Sequence, residues 1–91
     1  MYTPIYTKKF SKSLKKFQKS GIFKDQELKE IIRKLTNEKI LESKYRDHEL
    51  TGEYLGCREC HVKTDILLIY EVDKSNSLIT FANLGSHSEL F

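Results

Sequence analysis

Three histidines and one aspartate carry the clearest chemical potential in this 91-residue chain: His48, His61, Asp65 and His87. Histidine is the side chain best suited to moving protons near neutral pH, with an unperturbed pKa of about 6.5. All three of the chain's histidines lie in its second half. Side chains alternate along a strand, so His61, Lys63 and Asp65 are expected to share one sheet face, with Asp65 at the turn into the next strand. His48 precedes that strand, and His87 follows a glycine turn after the last one. A sheet that meanders can bring these ends together. Three unrelated surface histidines remain the alternative on this evidence alone.

Cys57-Arg58-Glu59-Cys60-His61 also attracts notice, because it fits the haem-attachment pattern C-x-x-C-H. Haem attachment belongs to exported proteins, and the only methionine is Met1. The string is strand-like, which puts its cysteines on opposite faces and about 10 Å apart. That separation exceeds the roughly 7 Å a disulfide tolerates and argues against one zinc ion held by both thiolates. No metal and no cofactor is expected. Arg58 can pair with Glu53 or Glu59, or clamp a phosphate through its planar guanidinium.

The elements that must position these residues follow from periodicity. Tyr2 to Tyr6 alternates as a short strand. From Lys8 to Lys19, Phe10, Leu14 and Phe17 recur at helical spacing, while Lys8, Lys9, Lys12, Lys15, Lys16 and Lys19 occupy the other faces. Ser20-Gly21 ends that helix. Asp25 is placed to cap a second helix whose apolar stripe is Leu28, Ile31, Ile32 and Leu35. Tyr45 to Thr51 reads as a polar connector, with turns at Gly52 and Gly56. Cys57 to Lys63 reads as a strand, and Ile66 to Val72, apolar on both faces, as a central buried strand. A loop at residues 73–76, a strand from Leu78 to Leu84 and a short tail complete the chain. The sketch is one α+β domain over residues 1–91: an antiparallel sheet of about four strands with an N-terminal two-helix hairpin packed on it.

Charge is uneven. Residues 1–44 hold 12 Lys/Arg against 5 Asp/Glu, and residues 45–91 hold 4 against 8. Seven lysines precede the first acid, Asp25. Such an element attracts phosphate backbones or an acidic protein, or simply solvates a helix face. No apolar run approaches a membrane span, and the first residues lack the pattern of a signal peptide, so a cytoplasmic protein with reduced cysteines is expected.

Four ordered segments resemble the YafQ branch of the RelE-like toxins. Tyr45-Arg46-Asp47-His48-Glu49-Leu50-Thr51-Gly52 is similar to its K-D-H-x-L-x-G segment. Arg58 to Asp65 is similar to R-[DE]-x-H-[VIL]-x-P-D. Leu67-Leu68-Ile69-Tyr70 matches its apolar strand, and Leu84 to Phe91 its terminal G-[ST]-H-x-x-L-F. The resemblance implies a RelE-like compact fold and the toxin of a type II toxin–antitoxin pair. It implies a ribosome-associated endoribonuclease that cuts mRNA, bound in a hetero-oligomeric complex by a cognate antitoxin. It places catalytic roles on His48, His61, Asp65 and His87, with RNA contacts at Arg58 and Phe91. The charge of the first helix separately suggests ribosomal RNA contacts at Lys8, Lys9, Lys12, Lys15 and Lys16. His87 would be the acid and His48 or His61 the base, with Asp65 orienting an imidazole or touching the 2′-OH. Three positions depart from the branch: Cys57 where an aromatic is common, Thr64 for proline, and Ile66 where some members carry tryptophan for base stacking. Two other readings remain: a nucleic-acid-binding module without chemistry, and a toxin of the same fold that poisons DNA gyrase.

Overall fold

The computed structural model describes residues 1–21 and 25–91, with the backbone alone at residue 25. Strand β1 (Thr3–Tyr6) leads into helix α1 (Lys8–Ser20) and helix α2 (Asp25–Thr36), followed by β2 (His48–Glu49), β3 (Arg58–Lys63), β4 (Ile66–Asp73), β5 (Leu78–Gly85) and the short helix α3 (His87–Leu90). The strands form one five-stranded sheet in the order β1-β5-β4-β3-β2. β4 is therefore the middle strand, as its unbroken apolar run required, and Ile66 to Tyr70 are all buried.

Local chemistry sets the helix ends. The Thr7 hydroxyl accepts the Phe10 N–H at 3.1 Å and donates to the Ala82 carbonyl at 2.7 Å. One side chain thus caps α1 and ties its start to β5. Gly21 takes the left-handed conformation (φ 68°), and its N–H closes on the Phe17 carbonyl at 3.1 Å. The expected Asp25 cap lies outside the described residues. The helical stripes meet one face of the sheet, where Phe10, Phe17, Leu28, Ile31 and Leu35 pack with Cys60, Val62, Leu68, Tyr70, Ile79 and Phe81. Each such side chain contributes about 1.5–3 kcal/mol on burial. Leu14 and Ile32 sit at the margin of this core.

The sheet departs from the sequence reading in four ways. It is mixed rather than antiparallel, because β1 runs parallel to β5 with Thr3 opposite Leu78. All four β1 residues are exposed, so their pattern holds no trace of direction. The connector contains β2, an added edge strand pairing His48 with Glu59 and Glu49 with Arg58. A bulge between His61 and Lys63 breaks the alternation of β3. Lys63 then reaches Glu27 of α2 at 3.3 Å and does not share a face with His61. Finally, the tail is helical. Ser86 and Glu89 form a reciprocal capping box that starts α3.

The sheet's second face carries a smaller cluster of Leu67, Ile69 and Leu90, flanked by Leu50, Tyr54, Cys57 and Ala82. Leu90 docks α3 there. The face that the long helices leave open is thus partly covered by the chain's own C-terminal turn.

Candidate active site

Alternation sorts the two sides of β2 and β3 cleanly. His48, Glu59 and His61 point to the open face, while Asp47, Glu49, Arg58 and Cys60 point to the helical one. On the open face the aromatic rings form a continuous arc. His48 and His61 have ring centroids 6.4 Å apart, His61 and His87 6.0 Å, and His87 and Phe91 6.2 Å. Tyr54 closes the arc edge-on to Phe91 at 5.3 Å. Residues 43 positions apart in sequence therefore border one surface. β2, β3 and α3 each deliver one histidine to it.

Each imidazole has a different partner. His48 Nδ1 lies 2.6 Å from the Arg46 carbonyl oxygen. A carbonyl only accepts, so Nδ1 carries the hydrogen and the neutral ring presents a bare Nε2. His87 Nδ1 faces Asp65 Oδ1 at 3.2 Å, and the same oxygen is 3.4 Å from the His87 N–H. Asp65 thus orients the ring and leaves Nε2 outward, as a carboxylate does for a general acid–base histidine. His61, between them, is mostly buried, with Nε2 3.6 Å from the Glu59 carboxylate. Glu59 is only 3% exposed.

Asp65 and His87 are brought together, and His61 joins them, but Arg58 is not part of this group. Its guanidinium lies 3.3 Å from Asp47 and 3.5 Å from Glu49, on the other face. These are neither of the acids expected from sequence, Glu53 and Glu59. They flank His48, and Tyr70 adds a hydroxyl that donates to Asp47 at 2.5 Å. Burial, then the Asp47 carboxylate, pushes the Tyr70 phenol far up, which keeps it a donor. Arg58 and Tyr70 together pin a strand only two residues long.

The first-helix lysines Lys8, Lys9, Lys12, Lys15 and Lys16 are all exposed. Lys16 pairs with Glu89 of α3, and Lys9 and Lys12 border a shallow cleft with Glu89 and Leu90. One edge of the basic helix therefore adjoins the element that carries His87. Sequence reasoning missed Tyr54 and Glu59. Tyr54 follows a glycine turn with no strand pattern, and a carboxylate in an alternating strand reads as solvated. Ile66 is buried in the main core, so that position does not stand beside the histidines. Cys57 faces Glu71 and Cys60 is fully buried, both as free thiols. Burial, the largest cause for both, raises the two thiols above their ordinary range, which makes them poor nucleophiles. Among the described residues, no group of three or more His, Cys, Asp or Glu is arranged to hold a metal ion.

Glu89 yields a pH prediction. Its hydrogen bond with Lys16, and then the Ser86 N–H, hold its carboxyl down at about 2 from an ordinary 4.5. A depressed acid contributes to stability above its unfolded pKa and loses that contribution as pH falls toward the folded value. The docking of α3 on α1 should therefore weaken between about pH 4.5 and 2. The NMR signal of the Ser86 amide should follow this transition, and a Glu89→Gln variant should lack it. A midpoint at 4.5 in the unaltered protein would remove Lys16 as the cause.

The sheet order and the histidine arc define a compact α+β domain of the RelE-like toxin class. Residues 2–91 match the family of bacterial toxins of type II toxin–antitoxin systems, YafQ. The chain belongs to that YafQ family. It is 36% identical over 88 residues to the mRNA interferase toxin YafQ of Escherichia coli K12, covering 94% of this chain and 91% of that one. Its structure is similar to a metal-bound toxin from Helicobacter pylori, with 43% identity, all of both chains covered and a TM-score of 0.93. It is also similar to YafQ in the E. coli DinJ–YafQ complex, with 34% identity, 100% and 99% of the two chains covered and a TM-score of 0.86.

Proposed function

We propose that this toxin is an endoribonuclease that cleaves mRNA on the ribosome by acid–base chemistry without a metal ion, and that a cognate antitoxin restrains it in the cytoplasm. The observation that carries the reading is the paired geometry of His48 and His87. One imidazole turns Nδ1 to a backbone carbonyl and the other turns Nδ1 to Asp65, which leaves the Nε2 of each for substrate.

RNA supplies its own nucleophile. His48 Nε2 takes the proton of a 2′-OH, and that oxygen bonds to the adjacent phosphorus. The phosphorus–O5′ bond then breaks as His87 Nε2–H gives its proton to the departing 5′-oxygen. The products are a 2′,3′-cyclic phosphate and a 5′-OH end, so atoms and charge balance with no other reactant. Asp65 stabilises the imidazolium of His87 before the transfer. His61 lies between acid and base, where negative charge develops on the phosphorane oxygens, and it serves as the hydrogen-bond donor to them. Glu59 holds its ring. Phe91, 59% exposed at the end of the arc, with Tyr54 edge-on behind it, offers a base-stacking surface. Arg58 acts from the opposite face by fixing the backbone on either side of His48. The first-helix lysines supply contacts to ribosomal phosphates, which position without reading sequence.

Brief expression in a bacterial host, followed by mapping of 5′ ends across cellular mRNA, tests this reading. New 5′-OH ends inside translated regions should accumulate, depend on ongoing translation, and form in vitro on purified ribosomes with toxin that has first been stripped with EDTA and desalted. Growth arrest with DNA breaks and intact mRNA would instead identify a gyrase poison. Intact mRNA and intact DNA would leave a binding module.

A further inference from the structure

We infer that the cleft beside His61 is a phosphate subsite for the RNA strand, and that Arg46 is the residue that holds the phosphate. The inference rests on the nuclease reading above and extends it to the path of the substrate.

The cleft arises from the shortness of β2. That strand pairs only with Arg58 and Glu59, so the rest of the β3 edge is left uncovered. The turn at Ser43–Tyr45 runs past this edge instead, and an opening of about 540 Å³ remains between them. Its walls include Glu27, Lys44, Tyr45, Arg46, His61 and Lys63. Clefts that hold small ligands measure about 300–1,000 Å³. His61 belongs both to this wall and to the arc of histidines, so the cleft adjoins the reacting surface at the residue between His48 and His87.

Three cations stand against one acid in this cleft, and they are not equally committed. Lys63 is paired with Glu27 at 3.3 Å, and Lys44 lies 3.9 Å from Glu42 and 5.1 Å from the centre of the Tyr45 ring. The chain has three arginines. Arg33 is engaged by Glu30 and Arg58 by Asp47 and Glu49. Among the described residues, no carboxylate lies within ion-pair distance of Arg46, whose side chain is exposed.

The backbone of Arg46 is held as firmly as its guanidinium is uncommitted. It occupies the left-handed region at φ 51°, uncommon for a residue with a side chain. Its N–H donates to the Ser43 carbonyl at 3.1 Å, and its own carbonyl accepts from His48 Nδ1 at 2.6 Å. The residue that fixes the tautomer of the base is therefore the one that projects a free planar cation into the adjoining cleft. A guanidinium presents two parallel N–H donors to a phosphate, so the strand would be gripped at a phosphate flanking the linkage that is cut.

The test uses a short RNA with a 2′-deoxy residue at the cleavage position, which binds but cannot react. Its affinity is measured by fluorescence anisotropy over a range of KCl concentrations. Arg46→Gln should bind about 10- to 100-fold more weakly. Its log–log salt slope should be shallower by about 0.7, the value of one lost single-strand phosphate contact. Arg33→Gln removes the same charge outside the cleft and should keep the original slope. Replacing single linkages of the probe by neutral methylphosphonates should reveal one position that weakens the unaltered protein but not Arg46→Gln. An unchanged slope in Arg46→Gln, an equal loss in Arg33→Gln, or additivity at every linkage would each overturn the assignment. Cleavage of an all-ribose mRNA bound on purified ribosomes is read separately. Its absence in the unaltered protein defeats the nuclease reading, whereas loss of the slope difference defeats the subsite alone.

Discussion

A His87→Ala variant should fold normally and cut mRNA 10²–10⁴-fold more slowly, the usual cost of a lost general acid. Normal folding is expected because the ring is 58% exposed, and because α3 is held by Leu90, the Ser86–Glu89 box and Lys16 rather than by the imidazole. The loss in rate is expected because without a donor the 5′-oxygen must leave as an alkoxide. The pH profile should change with the rate. The alkaline limb of the profile should flatten in this variant. Asp65→Asn should give a milder defect, since an amide can still orient the ring but no longer stabilises its charge. A folded His87→Ala enzyme that cleaves at the original rate would exclude this histidine from the chemistry.

His48→Asn should produce a second loss of similar size, about 10²–10⁴-fold, for a different reason. The asparagine amide can keep donating to the Arg46 carbonyl, so the turn and β2 should be retained. What disappears is the bare Nε2, and with it the base for the 2′-OH. The acid limb of the pH profile should vanish, in contrast to the alkaline limb lost with His87. The two substitutions together should cost far less than the product of the single losses, because neither half of the proton relay works alone. Circular dichroism and the Ser86 amide signal would verify the fold of each variant. If His61→Asn removed the acid limb and His48→Asn did not, His61 would be the base.

Much of this architecture was legible from side-chain periodicity. Phe10 and Phe17, and Leu28, Ile31 and Leu35, repeat at helical spacing because one stripe of each helix must meet the sheet. Ile66 to Tyr70 reads as a central strand because only a strand covered on both faces tolerates such a run. The features that escaped depend on partners distant in sequence. β2 is two exposed residues whose strand character comes wholly from Arg58 and Glu59 across from it. The bulge at His61–Lys63 adds no residue type that marks it, yet it sends Lys63 to Glu27. The direction of β1 is set by its neighbour, not by its composition.

The histidines were singled out by residue type, but three isolated imidazoles in a chain do not make a relay. Their order within four motifs suggested the grouping, and the geometry supplies what motifs lack, namely which nitrogen faces what. Arg58 shows the limit most plainly. An arginine in a polar strand can pair with an acid or clamp a phosphate, and pleating turns this one to Asp47 and Glu49, on the face opposite the histidines. The arginine that the cleft presents, Arg46, drew no attention because nothing in a polar connector announces a left-handed residue or its hydrogen bond to His48.

The pairing of β1 with β5 also bears on how the protein is made. On a growing chain, the first strand waits for the last, since Thr3 to Tyr6 find their partners only at Leu78 to Phe81. Until those residues leave the ribosome, the cap of α1 lacks its tie to Ala82, and β4 has an open edge. His87 follows β5 in chain order. The arc of three histidines therefore cannot close before β5 is made, and on the proposed chemistry a nascent chain short of residue 87 lacks the acid that cleavage of its own message would need.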